Sequence, residues 1–333
     1  MTAVSVVIPT YNRWSQLLAT LEGLADQTVD ADEVEIIVVS DGSTDETNAR
    51  LRAGDAPVDV VFVEQDNQGP AVARNRGIQE ASADLVLFID DDVVPKPGCV
   101  AAHLRAHAGL DADTVVVGPL LGPAGWQGSP WVRWEQRMLD RQYEHMRRGD
   151  WDATARQFYT GNASLVRARL VEAGGFSATF RRGEDVELAY RLAREGMRFV
   201  VDFDAGALHY AERTYRSWLS NAKAYGANDV TMWRQGESWL VPTVTAEYRS
   251  RNALVRLYTT AGLRFRPLQW VGERLAAPLA SGLSLVGLDR LSDYGLSAIY
   301  NLAYYRSFSD ALGDDAPNEF VGHRPRQPPA TIL

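Results

Sequence analysis

The sequence predicts an α/β fold built on a mostly parallel sheet, and three observations predict it. Apolar runs rich in β-formers, at 4–8, 36–39, 58–63 and 85–89, alternate with helix-like stretches. That alternation is the pattern of right-handed βαβ units. Each run empties into a polar loop carrying Asp, Asn or Thr, and in parallel units those loops share one edge of the sheet. The fourth run, Leu85-Val86-Leu87-Phe88-Ile89, is apolar throughout, as a strand covered on both faces must be, and ends in Asp90-Asp91-Asp92.

The first strand, 4–8, stops at Pro9, which has no N–H for a ladder, and Thr10-Tyr11-Asn12-Arg13 follows as a loop. Leu17, Leu18, Leu21, Leu24 and Ala25 recur at helical spacing. Ile36-Ile37-Val38-Val39 is the second strand, with a loop at 40–45, and 58–63 is the third. Asn67-Gln68-Gly69-Pro70 turns the chain into a helix reaching about residue 81, with Pro70 suited to its first turn. Past the acids, 98–108 reads as a helix and 114–118 as a strand. A Gly- and Pro-rich loop at 122–130 leads into a charged helix through Trp131, Trp134 and Met138.

Then come a short strand within 160–166 and a helical turn at 169–173 ending in Gly174-Gly175-Phe176. A helix opens at 181–188 and runs to about 195, its first-turn acids favoured by the helix dipole. A strand at 199–202 precedes His209. Helices are expected at 215–234, 246–261, 268–288 (interrupted by Pro278) and 293–312, and the proline-bearing tail from Asp314 reads as loose.

With 333 residues, the chain suits two domains or one α/β domain with appended elements. A hydrophobic content of 46% is ample for a core, and a net charge of −9 speaks against a nucleic-acid partner. A single cysteine, Cys99, excludes an internal disulfide framework and suits a reducing cytoplasm. No secretory leader pattern and no run of about 18 apolar residues is visible, so the expectation is a cytoplasmic protein, peripheral at most to a membrane. No G-x-G-x-x-G follows the first strand and no P-loop lysine motif occurs, which argues against dinucleotide dehydrogenases and P-loop NTPases.

Ligands of open α/β sheets bind just beyond the carboxyl ends of the strands, where Asp90, Asp91 and Asp92 fall. Three adjacent carboxylates repel one another and need an offset. A hard divalent cation with a phosphate-bearing ligand supplies it, since Mg²⁺ takes one or two carboxylates and keeps its other positions for phosphates and water. The plainer reading is a solvated acidic turn, with Asp92 capping a helix.

Six pieces then stand in order: Pro9-Thr10-Tyr11-Asn12 after the first strand, Val-Ser-Asp-Gly-Ser-Thr-Asp at 39–45, Gly-Pro-Ala-Val-Ala-Arg-Asn-Arg-Gly at 69–77, Asp-Asp-Asp at 90–92, Gly-Gly-Phe at 174–176 and Gly-Glu-Asp at 183–185. The chain resembles the family 2 glycosyltransferases, over residues 4 to about 210. The resemblance implies the GT-A fold, a Rossmann-like, mostly parallel sheet flanked by helices, here with a helical C-terminal extension. It divides the chain into a nucleotide-sugar-binding half (1–118), an acceptor-binding and catalytic half (119–212), the extension (213–313) and the loose tail (314–333).

It also implies metal-dependent, inverting transfer from a nucleotide sugar, UDP first with dTDP and GDP open, to a glycan, a lipid-linked sugar or a small natural product. Pro9, Thr10, Tyr11 and Asp41 would line the base and ribose pocket, Asp41 accepting the uracil imide; capping of its own loop is the alternative. Arg74 would contact pyrophosphate or base, or else lie on a solvated helix face. Asp90 and Asp91 would serve ribose and support the site. Asp92, and His209 if it is not merely structural, would hold Mn²⁺ or Mg²⁺. Asp185 would be the general base, with Glu184 beside it; as first-turn helix acids they need no further role. Trp126, Trp131 and Trp134 would stack on acceptor sugars or fill core.

Two competing readings remain: a haloacid-dehalogenase-like phosphatase using Asp90 and Asp92, and a non-catalytic sugar- or nucleotide-binding relative. The C-terminal helices, with an interrupted apolar stretch and rings at Trp270, Tyr294, Tyr300, Tyr304 and Tyr305, are expected to dock on a membrane surface or a second subunit, or to pack as core.

Overall fold

The computed structural model describes residues 2–315, so the expected loose tail lies outside the described residues except for a 3₁₀ turn at Gly313–Asp315. The chain forms two compact units, one of residues up to Gln127 with Glu135–Ala211, the other of Gly128–Trp134 with the described residues from Glu212 onward.

The first unit runs β1 (Val4–Thr10), α1 (Trp14–Ala25), β2 (Val34–Asp41), α2 (Thr47–Ala53), β3 (Val61–Gln65), α3 (Pro70–Glu80) and β4 (Leu85–Ile89). It continues with β5 (Val93–Pro95), α4 (Cys99–Ala108), β6 (Thr114–Val117) and β7 (Leu120–Leu121). After α5 (Pro130–Arg147) come β8 (Asn162–Val166), α6 (Arg167–Glu172), α7 (Glu184–Arg194), β9 (Arg198–Val201) and β10 (Ala207–His209).

Seven strands form one sheet in the order β3-β2-β1-β4-β8-β6-β9. The first four are parallel, as the alternating pattern requires, while β8 runs antiparallel between β4 and β6, and β9 is parallel to β6. Val6, Ile8, Ile36, Val38 and Leu87 pack on one face with Leu17 and Leu21 of α1. Val7 points to the other face, and a Cβ at Gly77 would lie 2.3 Å from its Cγ1, so glycine lets α3 lie against β1. The parallel register puts the exits of β1, β2, β3 and β4 at one edge, the place predicted for chemistry.

Several elements differ from expectation. A second, three-stranded sheet, β5-β10-β7, and helix α2 were not predicted. Strands of three, two and three residues are too short to show a period. The third strand is Val61–Gln65, later than 58–63.

The second unit is helical: α8 (Tyr215–Arg234), α9 (Leu240–Ser250), α10 (Ala253–Arg264), α11 (Arg266–Leu285) and α12 (Asp289–Leu312). Its core gathers Val230, Val244, Leu263, Leu302, Tyr305 and Phe308. The helix expected at 246–261 is two, because Asn252 starts a new one, its Oδ1 accepting from the Leu254 N–H at 2.9 Å. Pro278 does not interrupt α11, which continues through it. Tyr305 is buried and Tyr304 bonds the Asp229 carboxylate, so of the rings expected at an interface only Trp270 and Tyr294 are exposed.

Candidate active site

The acids at the exit of β4 are held by two guanidinium groups. Arg13 Nη1 lies 3.0 Å from Asp91 Oδ1 and 2.9 Å from Asp92 Oδ2. Asp91 also accepts from the Thr10 hydroxyl at 2.8 Å, tying the end of β1 to the end of β4. Arg74, on α3, places Nη2 2.7 Å from Asp90 Oδ1. Arginines thus offset part of the triplet's charge. The offset is incomplete at Asp91, whose burial pushes its carboxyl up to about 6 against the pull of Arg13, with Asp92 adding to the rise.

Arg74 also reaches the first turn of α7, where its Nη1 sits 2.7 Å from Glu184 Oε1. The guanidinium is buried, with its Nε unpartnered, and stands 5.7 Å over the Phe176 ring. Arg74 is therefore not on a solvated face: both terminal nitrogens are committed to carboxylates, and Arg74 joins the exit of β4 to α7. Asp185, next along, is half-buried and accepts the Val186 N–H at 2.8 Å. Burial, with the Glu184 charge beside it, pushes the Asp185 carboxyl up to about 7, while Arg74 pulls the other way.

A second tie fixes the same junction. Asn75 Nδ2 donates to the Phe176 carbonyl and Asn75 Oδ1 accepts from the Phe176 N–H, both at 2.8 Å. Gly175 turns through φ +69°, and a Cβ there would lie 2.5 Å from Asn75 Oδ1. Glycine is needed on both counts. Phe176 then packs edge-on against Phe88 of β4, centroids 5.3 Å apart.

On the β2 side, Asp41 is buried and its oxygens cap the loop before α3. Oδ1 accepts from Gln65 Nε2 at 2.7 Å and the Gln68 N–H at 2.8 Å, and Oδ2 from the Gly69 N–H at 2.8 Å. A carboxylate offers about four acceptor positions, so room for one more donor remains. Pro9 is half-buried, Thr10 buried, and Tyr11 exposed at 47%. Asn12, at φ +55°, accepts through Oδ1 from the N–H groups of Thr44 at 2.7 Å and Asp45 at 3.2 Å, so the loops after β1 and β2 form one structure.

His209 arrives by the unpredicted sheet. Pairing of β10 with β5 sets His209 opposite Val93, the Tyr210 N–H donates to the Asp92 carbonyl at 2.9 Å, and His209 Nε2 comes 3.7 Å from Asp92 Oδ1. An imidazole and a carboxylate facing each other suit Mn²⁺, and the carboxylate by itself also suits Mg²⁺. Among the described residues no three His, Cys, Asp or Glu side chains are placed to share an ion. The pair therefore fits a metal whose other ligands are phosphate oxygens and water.

Trp126 is half-buried in the loop before α5. Trp131 donates its Nε1–H to the Arg213 carbonyl at 2.8 Å. Trp134 is 8% exposed, bonded through Nε1 to Ser297 Oγ and packed on Trp218 and Tyr300. The stacking expectation for Trp134 is thus corrected: neighbouring rings cover it. Sequence reading missed Arg13, Asn12 and Asn75. Asn12 and Asn75 lie inside the quoted motifs and Arg13 directly follows one, so position in or beside a motif was the signal for them.

Glycosyl transferase family 2 matches residues 5–175, and the chain belongs to that family. The chain is 33% identical over 247 residues to the validoxylamine A glucosyltransferase of Streptomyces hygroscopicus subsp. jinggangensis, covering 66% of this chain and 58% of that one. It is 28% identical over 235 residues to the pre-mycofactocin glycosyltransferase of Mycobacterium tuberculosis, covering 68% and 46%. It thus spans roughly half the length of these relatives. Among solved structures, a mannosyltransferase from Pyrobaculum calidifontis, in complex with GDP-Man and Mn²⁺, superposes with a TM-score of 0.56 at 20% identity, covering 91% of this chain and 86% of that one. S. aureus TarS 1-349 gives 0.53 at 17%, covering 92% and 90%. The fold is GT-A with a helical C-terminal region. Family membership overturns the phosphatase alternative.

Proposed function

We propose that this chain moves a sugar from a nucleotide diphosphate sugar, a UDP-sugar first, to a hydroxyl of a glycan, lipid-linked sugar or natural product, with inversion at the anomeric carbon. The observation that carries the reading is the Arg74 bridge. It joins the acids at the exit of β4 to an α7 turn whose Asp185 has a carboxyl raised toward neutrality.

A base must be ionised to act yet basic enough to take a proton, and a value near the working pH meets both demands. Asp185 receives the acceptor hydroxyl proton as the oxygen attacks the anomeric carbon, and the diphosphate leaves from the opposite face. Glu184, held by Arg74, keeps the turn in place. The loops tied by Asn12 and Asp41 form the base and ribose pocket, with Tyr11 as an exposed ring for the nucleotide. Asp92 and His209 hold the divalent ion. When bound, the ion offsets charge on the departing diphosphate. The mannosyltransferase solved with GDP-Man and Mn²⁺, which shares the fold, supports this reading.

Two substitutions test it. Asp185→Asn should lower kcat by roughly 10²- to 10⁴-fold with donor binding intact. Asp92→Asn should lose Mn²⁺-dependent donor binding and turnover together. Wild-type protein that binds UDP with Mn²⁺ but transfers no sugar from a panel of donors would favour the non-catalytic relative. Unchanged turnover in Asp185→Asn would move the base, and a retained anomeric configuration would overturn single displacement.

A further inference from the structure

Of the nineteen large apolar side chains exposed among the described residues, twelve lie between positions 254 and 294, on α10, α11, α12 and their connections. Leu268, Val271, Leu275 and Leu279 recur every three or four residues along α11. With Val255 of α10 and Tyr294 of α12 they line an open, almost wholly apolar groove of about 480 Å³. A helical hairpin in water is expected to turn such a stripe inward.

Charge gives the second observation. Arg251, Arg256, Arg264, Arg266, Arg274 and Arg290 are all exposed on these elements. The three acids between 251 and 294 are half-buried: Glu273 lies 3.1 Å from Lys223, Asp289 3.5 Å from Arg133, and Asp293 follows on α12. The exposed charges from 251 to 294 are thus all positive, in a chain whose net charge is −9. Trp270, 57% exposed, lies under the Arg274 guanidinium at 4.0 Å, an aromatic–cation pair suited to a boundary between apolar and wet surroundings.

We propose that this face docks on the surface of an anionic phospholipid bilayer. Helices α10–α12 lie in the plane of the interface, leucines at the acyl boundary and arginines at the phosphates. No described helix is long and apolar enough to cross a membrane, so the mode is lying on the bilayer, not spanning it. A second copy fits less well, because a two-fold interface would set this arginine-rich face against itself.

The test is flotation of the full chain with phosphatidylcholine vesicles, with and without phosphatidylglycerol, at low and high salt. Binding should require the anionic lipid and weaken with salt. Leu275→Glu with Leu279→Glu, at positions 50% and 59% exposed, should lose about tenfold in partitioning per leucine. Arg264→Gln with Arg266→Gln should lose about fivefold per charge and less of the residual binding at high salt. Circular dichroism checks that the variants fold, and the arginine pair carries the test if the leucine pair does not. Absence of flotation on anionic vesicles, or flotation untouched by either pair, overturns the proposal. So does a dimer in light scattering that the leucine substitutions split while vesicles bind nothing.

Discussion

One guanidinium, that of Arg74, faces Asp90 and Glu184 directly and lowers the proton affinity of Asp185. Removing it should do two things at once. Breaking a buried ion pair leaves unpaired carboxylates behind and costs about 3–5 kcal/mol, so Arg74→Met should melt well below wild type. The second effect is electrostatic. With the opposing cation gone, burial and the Glu184 charge act on Asp185 unchecked, so its carboxyl rises further. The proposed base is then ionised only at higher pH, and the acid limb of kcat/KM should move upward from about 7. Arg74→Lys keeps the charge but not the two-pronged geometry, and should fall between the two proteins on both measures. A limb that stays in place in Arg74→Met would uncouple this network from the base. Most of these carboxylates were legible as motif members, yet their partners were not. The bonds from Arg74 to Glu184 and from Arg13 to Asp91 join residues 110 and 78 positions apart, and local pattern carries no signal over that distance.

The junction of α3 with the loop before α7 makes the same point for larger pieces. The Gly-Gly-Phe motif was visible, but its purpose came only with Asn75, which clamps Phe176 from another element. Gly175→Ala should destabilise by about 1–3 kcal/mol, combining a left-handed backbone with a Cβ 2.5 Å from Asn75 Oδ1. In an Asn75→Ala background the clash is gone and only the backbone strain remains. The second substitution should then cost less, and thermal melts of the four proteins measure the difference. Equal costs in both backgrounds would mean that the clamp yields freely. Long elements were read well for a plain reason: β1, β2, β4 and α8 have five or more residues, enough for an apolar run or a helical spacing to show. The short strands β5, β7 and β10 exist only through their pairing, so local pattern gave no sign of how His209 reaches Asp92, and only the family resemblance set the two together.

Behind the sheet, α4 is fastened to β8 by a buried polar network that the sequence did not announce. His103 is fully buried, with Nδ1 2.8 Å from Ser164 Oγ and Nε2 2.9 Å from Asn162 Oδ1. Asn162 donates its Nδ2–H to the Ala205 carbonyl at 2.7 Å, so its Oδ1 must accept. His103 therefore carries its proton on Nε2 and accepts from Ser164 through Nδ1, while His107, with Nε2 2.9 Å from the same Ser164 Oγ, donates to that hydroxyl. A second proton has no acceptor in this arrangement and would charge a group sealed from water. Burial accordingly lowers the His103 imidazole from its ordinary 6.5 to about 4. Because the folded value lies below the unfolded one, the unfolded chain binds the extra proton first as pH falls. The stability His103 contributes is complete above about pH 6.5 and is lost progressively toward about pH 4, a loss on the order of 3 kcal/mol. Asp91 and Asp185 act in the opposite sense, since their raised folded values favour the native state as pH falls through the same range. The total pH profile therefore mixes both signs, and a difference experiment separates them. His103→Gln keeps a donor and an acceptor but does not titrate, while every other group is common to both proteins. The gap in unfolding free energy between wild type and His103→Gln should be widest above pH 6.5 and shrink steadily toward pH 4. A gap independent of pH would mean that His103 takes up its proton within the folded sheet and that Ser164 turns to accept it.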